Sequence, residues 1–357
     1  VVARTYHRVM SDAVLQTVPL GLHWPTVDPF LFCAHHDDLY PRGNGRLGPD
    51  ASLEGRSIGM DFEGIDGWRM YHGTEVPGFP QHPHRGFETV TYVRHGVCDH
   101  SDSLGARARF GRGDVQWLTA GAGIVHSEMF PLRDVKDPNR LELFQIWLNL
   151  PAADKMTEPC FTMHWSEAIP VVHRDDGAGH NVDVVLIAGT FEDTHALAPP
   201  AASWASRPET EVAIWHIALS PGASLELPTA AHGVIRTLYL FEGADIEIDG
   251  STIPADTGAV LRADRPIRLR ASEGAECLIL QGRPIAEPVA QQGPFVMNDE
   301  DGLRRAFADF RRTGFGGWPW PTDGPVHSPE SDRFAVHPDG RTERPDPHRA
   351  DGLAPDR

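Results

Sequence analysis

Short β-type runs separated by glycine turns recur along both halves of this 357-residue chain, and they constrain its fold more than any other feature. In the first half, runs rich in valine, threonine and aromatic residues begin at Phe87 and Val115, and a longer apolar run spans 141–150. Comparable runs follow one another from 211 to 281. Strands this short and this regularly spaced are typical of a sandwich or barrel. The sequence therefore predicts an all-β protein with two comparable β units in tandem.

One segment after these runs has the pattern of a helix. Between Asn298 and Gly314, acidic residues occupy the first turn and two arginines occupy the last, as the helix dipole favours, and Asn298 is a suitable cap. An apolar stripe at helical spacing consists of Leu303, Ala306, Phe307 and Phe310. We predict one C-terminal helix whose stripe packs on the β body rather than on a partner. Residues 321–357, with seven prolines, many charges and few large apolar residues, are predicted to be largely extended or disordered.

The charge balance and the cysteines limit the classes of function. Lys+Arg of 32 against Asp+Glu of 50 gives a net charge of −18, which disfavours a direct grip on nucleic acid or on an anionic membrane. The four cysteines show neither a CxxC motif nor a short spacing, so neither a zinc ribbon nor a disulfide framework is indicated. The chain has neither a leader-like start nor an apolar run of roughly 18 residues. We expect a soluble, cytoplasmic protein.

Four metal-binding side chains come as two couples, His82-x-His84 and, 42 residues later, His126-x-Glu128. Side chains at i and i+2 of a strand point the same way, so two such couples on facing strands can enclose one ion. Three imidazoles and a carboxylate suit Fe(II), Mn(II), Ni(II), Cu(II) or Zn(II), whereas calcium and magnesium prefer oxygen ligands. Nineteen histidines make chance pairs common, so polar core residues or surface histidines remain the alternative at this point.

Other histidines are weaker candidates. The second half carries neither couple, and His232 stands alone, so we expect that half to keep the shape without the metal. His35 and His36 are adjacent and would face opposite ways on a strand, which argues against a second metal site. We predict that residues 35–44 form a solvent-facing loop.

The residues around the four donors resemble the pirin family of bicupins. The resemblance covers roughly residues 20–316, and its motifs are HPHRGFETVTY at 82–92, DVQWLTAGAGIVHSE at 114–128 and FVMN at 295–298. It implies two tandem cupin barrels of the jelly-roll type, with one mononuclear iron in the first barrel and none in the second. The iron ligands that it implies are His82, His84, His126 and Glu128. Glu88, where many other cupins have their metal-binding glutamate, is then expected to have a structural role or to support the ligands.

The resemblance also implies an organisation and an activity. We expect a metal-binding cupin domain at 1–165, a cupin domain without metal ligands at 166–292, a helix and arm at 293–320, and a proline-rich polar tail at 321–357. The implied activity is that of a quercetin 2,3-dioxygenase, in which Fe(II), or Zn, Ni, Mn or Cu, binds a flavonol and Glu128 accepts the proton of its hydroxyl group. The family leans toward monomers.

Two other functions remain open, the first because the resemblance also implies it and the second because the ligand types do not exclude it. One is a regulatory protein that binds transcription factors or metabolic enzymes according to the state of its iron, without catalysis of its own. The other is a zinc or nickel cupin that catalyses isomerisation without dioxygen.

Overall fold

The computed structural model describes residues 12–175 and 177–346, which form two compact units. We call residues 30–169, 199–206 and 285–346 the first barrel. We call the described residues of 12–29, 170–198 and 207–284 the second barrel. Within the described part of the chain, no helix is long and apolar enough to span a bilayer.

Strands are numbered in chain order. The first part of the chain contributes β1 (Val14–Pro19), β2 (His23–Trp24), β3 (Phe30–Tyr40), β4 (Gly78–His84), β5 (Phe87–His95), β6 (Val97–Asp102), β7 (Arg107–Gly111), β8 (Asp114–Thr119), β9 (Ile124–Met129), β10 (Asn139–Asn149) and β11 (Cys160–His164). The middle part contributes β12 (Val171–Asp175), β13 (Asn181–Ala188), β14 (Thr190–Phe191), β15 (Thr194–His195), β16 (Ala213–Leu219), β17 (Ser224–Leu227), β18 (Ile235–Glu242), β19 (Asp245–Ile248), β20 (Ser251–Pro254), β21 (Thr257–Arg262), β22 (Ile267–Arg270) and β23 (Ala275–Gly282). The last part contributes β24 (Ala290–Gln292), β25 (Phe295–Met297), the helix α1 (Glu300–Thr313), β26 (Phe334–Val336) and β27 (Thr342–Glu343). The predicted all-β class with one C-terminal helix is confirmed.

The first barrel is built from two antiparallel sheets. One runs β11-β8-β5-β10-β3 within this unit, and the other runs β27-β26-β7-β6-β9-β4. Side chains alternate along each strand, so every second residue points into the space between the sheets. Apolar residues of both sheets share one core there, among them Phe110, Leu118, Ile124, Leu143 and Phe161.

The second barrel has a seven-stranded sheet, β1-β21-β18-β23-β16-β13-β12, and a four-stranded sheet, β17-β22-β19-β20. Its core is one continuous apolar cluster that includes Trp215, Leu238, Ile246 and Leu269. Strand β1 pairs antiparallel with β21, so residues 12–29 belong to this barrel and not to the domain that we drew at 1–165. The pairing joins residues more than two hundred positions apart, which local sequence patterns do not encode.

The helix α1 packs as its apolar stripe predicts. Leu303 and Ala306 are buried against Val125 and Phe295 of the first barrel, and Phe307 and Phe310 pack at the edge of the same cluster. The cap is Asp299 rather than Asn298, because the Asp299 carboxylate accepts a hydrogen bond from the Gly302 amide at 2.6 Å. The helix ends at Gly314 in the left-handed conformation.

The sequence predicts a largely extended or disordered segment at 321–357, and for residues 321–346 the disordered alternative is wrong, because they form the strands β26 and β27 and ordered, largely irregular backbone around them. Strand β26 pairs with β7 and extends the sheet of the first barrel. Polar anchors hold the rest of the segment: the buried guanidinium of Arg109, paired with Asp99, donates to the carbonyl oxygens of His327, Ser328 and Ser331. The segment therefore owes its order to satisfied backbone groups more than to apolar burial. Residues 347–357 lie outside the described residues.

The prediction of a solvent-facing loop at 35–44 is also wrong for its first half. Both histidines lie on strand β3, which pairs with β10. They do face opposite ways: His35 Nε2 lies 3.0 Å from a Glu142 carboxylate oxygen, whereas His36 Nδ1 lies 2.7 Å from the Tyr71 hydroxyl. Each histidine has a hydrogen-bond partner on its own side of β3, so this stretch is a strand and not a loop.

Candidate metal centre

Strands β4 and β9 bring the three histidines together. The strands are antiparallel neighbours, and His82 lies directly opposite His126 in the register. His84 shares the face of His82 because it lies two residues along the same strand. One nitrogen from each of the three imidazoles lies within 4.8 Å of the other two. Among the described residues, this is the one group of three or more donors compact enough to hold a metal ion.

The corner between β4 and β5 fixes the first couple. Gly86 has φ +87°, and a Cβ atom there would lie 1.9 Å from the Val296 carbonyl oxygen, so the turn requires glycine. The buried ammonium group of Lys155 donates to the Gly86 carbonyl at 2.8 Å and to Asn149 at 2.7 Å. These contacts explain the glycine of the motif HPHRGF.

Two properties of the imidazoles suit a metal ion: the rings are neutral at neutral pH, and some of their nitrogen atoms have no hydrogen-bond partner within the described chain. Burial lowers the pKa of His82 to about 4, and it also holds the pKa values of His84 and His126 well below their usual range. The neutral rings can therefore offer lone pairs at neutral pH. His82 Nδ1 lies 2.8 Å from the Pro80 carbonyl, which accepts a hydrogen bond from the Nδ1–H group and leaves Nε2 as the ligand atom. Both ring nitrogens of His126 are buried without a hydrogen-bond partner, a costly arrangement that a bound ion would relieve.

Glu128 lies beside this group but outside it. Its Oε2 is 4.0 Å from His126 Nε2. The carboxylate is held by Thr91, whose hydroxyl lies 3.1 Å from Oε1, and by Gln145, whose amide donates to Oε2 at 2.9 Å. Burial raises the pKa of Glu128 above its usual value. Its role as a fourth ligand stays a prediction.

Glu88 points away from the centre. Side chains alternate along β5, so Thr91, which contacts Glu128, faces the opposite side of the strand from Glu88. The Glu88 carboxylate accepts hydrogen bonds from Thr119 at 2.7 Å and from Ser203 at 2.5 Å, and burial raises its pKa to about 7. These contacts are those of a structural residue.

Two polar residues of the interior escaped the sequence analysis. Gln116 lies opposite Thr91 on β8, and both polar atoms of its carboxamide are buried without a partner among the described residues. His100 lies opposite Glu128 on β6, and its Nε2 is 3.1 Å from Asp102. The available signal was alternation: both residues are polar members of short β runs and lie two residues from other inward-facing positions.

Aromatic residues line one side of the centre. The Trp147 ring lies 5.3 Å from the His84 ring and 5.0 Å from the Phe32 ring, measured between centroids. Phe32, His82, Gln145 and Trp147 are each only partly buried, whereas His84 and His126 are 3% and 0% exposed. The centre is thus buried but can be approached past a polar and aromatic rim.

Comparisons with known proteins agree with this arrangement. The pirin family model matches residues 16–148, and the pirin C-terminal cupin domain model matches residues 214–316. A pirin-like protein of Caulobacter vibrioides is 40% identical over 238 residues, which are 67% of this chain and 80% of that protein. A Pseudomonas aeruginosa protein named as a candidate quercetin 2,3-dioxygenase is 37% identical over 243 residues, 66% of this chain and 79% of that protein.

A solved structure extends the likeness to the fold. The crystal structure of quercetin 2,3-dioxygenase from Acinetobacter baumannii superimposes with a TM-score of 0.67 at 25% identity, over 85% of this chain and 98% of that one. The family models, the relatives and this structure confirm the two tandem cupin domains expected from the motifs. The chain belongs to the pirin family.

Proposed function

We propose that this pirin is a metal-dependent dioxygenase that opens a flavonol-like aromatic compound with loss of carbon monoxide. The observation that carries the proposal is the group of three neutral imidazoles, one with both nitrogens unpartnered, beside a partly open aromatic rim. The similarity to a structure named quercetin 2,3-dioxygenase supports the choice of reaction.

His82, His84 and His126 would hold the ion, and we infer that Glu128 joins them. This donor set suits Fe(II), which we propose as the native metal, and it also accommodates Zn, Ni, Mn or Cu. When bound, the ion would lower the pKa of a coordinated substrate hydroxyl and supply the redox chemistry toward dioxygen.

Glu128 is the residue placed to move the substrate proton. Its carboxylate has a raised pKa, which brings its proton affinity closer to that of a metal-bound hydroxyl. Thr91 and Gln145 fix its orientation through the contacts described above. The proton taken from the flavonol hydroxyl would be held on Glu128 and returned to the product before release.

Trp147 and Phe32 are placed to orient the substrate. Their rings lie on the approach to the histidines, and a flat aromatic ligand can stack on or pack edge-to-face against such rings. His84 and His126 are themselves buried, and burial strengthens the electrostatic interactions within the site.

Substitution of Glu128 by glutamine tests this assignment, and Glu88→Gln is its matched control. Both carboxylates are buried and both have raised pKa values, but only Glu128 lies beside the histidines. We expect Glu128→Gln to retain metal and to lose about 100-fold or more in flavonol-dependent oxygen uptake, the range typical of a general base. Glu88→Gln should keep the wild-type rate.

Metal analysis of the purified proteins accompanies the oxygen-uptake assay on a small panel of flavonols. A wild-type rate in metal-loaded Glu128→Gln would remove Glu128 from the mechanism. Iron-loaded protein that consumes no oxygen with any flavonol of the panel would overturn the proposed reaction itself.

A further inference from the structure

A second cavity of the first barrel, separate from the metal centre, is lined by arginines. Its volume is about 390 Å³, and it lies where β3 and β5 end and β10 begins. Its walls include Tyr40, Arg94, His95, Arg112, Arg133 and Arg140. The metal histidines do not line this cavity, and its nearest lining residue along the chain, Phe130, lies four residues beyond His126, about 13 Å at the usual rise per residue.

Two of the four guanidinium groups are neutralised by carboxylates. Arg94 and Arg140 both reach Glu142, and Arg140 also contacts Asp37 at 3.2 Å. The side chain of Glu142 is 1% exposed, so its charge is already satisfied within the wall of the cavity. This arrangement holds the two arginines in place along one side.

The other two guanidinium groups have carboxylates nearby: Asp134 lines the same cavity, and the charges of Asp332 and Asp99 act on Arg133. Within the described part of the chain, neither Arg112 nor Arg133 forms an ion pair. Arg133 donates through Nε and Nη2 to the Pro329 carbonyl oxygen at 3.2 and 3.1 Å, which fixes the group without neutralising it. Burial, followed by the nearby charges of Arg109 and Arg112, lowers the pKa of Arg133, and the charges of Asp332 and Asp99 oppose this shift only in part.

The backbone presents Arg112 at an energetic cost. Arg112 lies in the turn between β7 and β8 with φ +57°, a conformation that disfavours residues other than glycine. The turn already has glycine on both sides, at Gly111 and Gly113, so a third glycine would have relieved the strain. The turn therefore holds a long, exposed cationic side chain at the cavity rim.

We propose that this cavity binds a small ligand through a phosphate or diphosphate group. Guanidinium groups match the geometry of phosphate oxygens, and the volume is in the range of small-molecule sites. The net charge of −18 repels long polyanions, so a compact ligand that reaches the arginines directly is favoured over nucleic acid. The site goes beyond the proposed dioxygenase function and does not depend on it.

Calorimetric titration of the metal-loaded protein with pyrophosphate at low salt tests the site. We expect a dissociation constant below about 1 mM, weakened about 10-fold by Arg112→Gln and by Arg133→Gln and by more in the double variant. Arg270→Gln is the control, since Arg270 is an exposed arginine of a second-barrel strand and should bind as wild type. Unchanged metal content and thermal midpoint show that the variants are folded.

Parallel titrations identify the chemistry of the ligand. Inorganic phosphate, a phosphate monoester such as AMP, and citrate are compared with pyrophosphate under the same conditions. Tighter binding of pyrophosphate or of the monoester than of citrate supports a phosphorylated ligand, and the stronger of the two indicates whether one or two phosphates are recognised. Equal or tighter binding of citrate overturns the assignment to phosphate. Absence of pyrophosphate binding, or binding that both arginine variants retain, overturns the site.

Discussion

The two barrels share a two-sheet antiparallel architecture but fill their interiors with different chemistry. In the second barrel, one continuous apolar cluster around Trp215 fills the core, and, among the described residues, its buried polar atoms without partners, such as Trp215 Nε1 and Arg236 Nη1, do not form a group of metal donors. In the first barrel, part of the interior is given to histidines, Glu128 and Gln116, several of whose polar atoms are buried without partners. A buried polar atom without a hydrogen-bond partner lowers the stability of the fold, whereas a buried aliphatic group does not. The fold therefore tolerates a site but does not require one.

Function in this protein therefore depends on which inward-facing strand positions carry metal-binding side chains. Both interiors are reached by the same strand alternation, so a donor and an aliphatic residue are geometrically interchangeable there. In the first barrel such polar groups surround three histidines compact enough to hold a metal ion, an arrangement whose cost a bound ligand would offset, since proteins commonly accept lower stability at functional sites.

Removal of a histidine from the centre should have the largest effect. We expect His126→Ala to lose about 100-fold or more in metal affinity, because the remaining donors cannot close the site, and oxygen uptake should fall with the metal. His232→Ala, in an exposed turn of the second barrel, should change neither quantity. Elemental analysis after purification measures the metal. Full occupancy in His126→Ala would show that the ion is held elsewhere.

Truncation of a core side chain in the second barrel should lower the stability of the protein and leave its metal content unchanged. Leu238 is fully buried in the aliphatic cluster, so Leu238→Ala should lower the free energy of unfolding by about 2–5 kcal/mol. Metal content of the folded protein should stay at the wild-type level. Leu15→Ala is the control, because Leu15 is 63% exposed on β1 and its loss should cost little. A large loss of metal from folded Leu238→Ala would contradict the separation of roles.

Local patterns predicted the parts of this molecule that local physics determines. Alternation and glycine turns gave the strands from Phe87 to Thr119, and helical spacing gave α1. The i, i+2 couples identified the three histidines, because a strand necessarily places such residues on one face.

The parts that were missed depend on contacts distant in sequence. The pairing of β1 with β21 and the strand character of the 35–40 stretch depend on partner strands far along the chain. The order of residues 321–346 depends on carbonyl groups that meet the buried side chain of Arg109. Gln116 could not be predicted, because a single side-chain amide in a β run does not indicate whether it binds protein, water or a ligand.

Glu142 offers a comparison of polar pairs in the two barrels. Burial acts to raise its pKa, but a hydrogen bond with His35 and the charges of Arg94 and Arg140 outweigh burial and lower the pKa to about 2. A lowered carboxyl pKa stabilises the fold above the usual value of 4.5 and loses that contribution as pH falls toward 2. Glu142→Gln should therefore cost up to about 3 kcal/mol at neutral pH and progressively less below pH of about 4.

The matched pair in the second barrel is His216 with Glu276, at 2.7 Å. The side chain of Glu276 is 25% exposed, so solvent screens the interaction, and Glu276→Gln should cost less than about 1 kcal/mol. Denaturant unfolding from pH 3 to 8, a range of about five units that brackets the carboxyl titration, separates the two variants. Equal, pH-independent losses would mean that Glu142 acts by packing and not by charge.

Replacement of one polar interior residue of the first barrel by an aliphatic residue should have the smallest effect. Gln116→Leu replaces an unpartnered carboxamide with an aliphatic group of similar volume. It should therefore stabilise the metal-free protein by about 1 kcal/mol. If the carboxamide serves a ligand in the site, flavonol turnover should fall about 10-fold, as for the loss of one hydrogen bond to a bound group. Thermal unfolding of the apo form and kcat/KM of the loaded form measure the two effects. A destabilised apo form with normal turnover would mean that buried water already satisfies Gln116, and the polar interior would then be structural at that position.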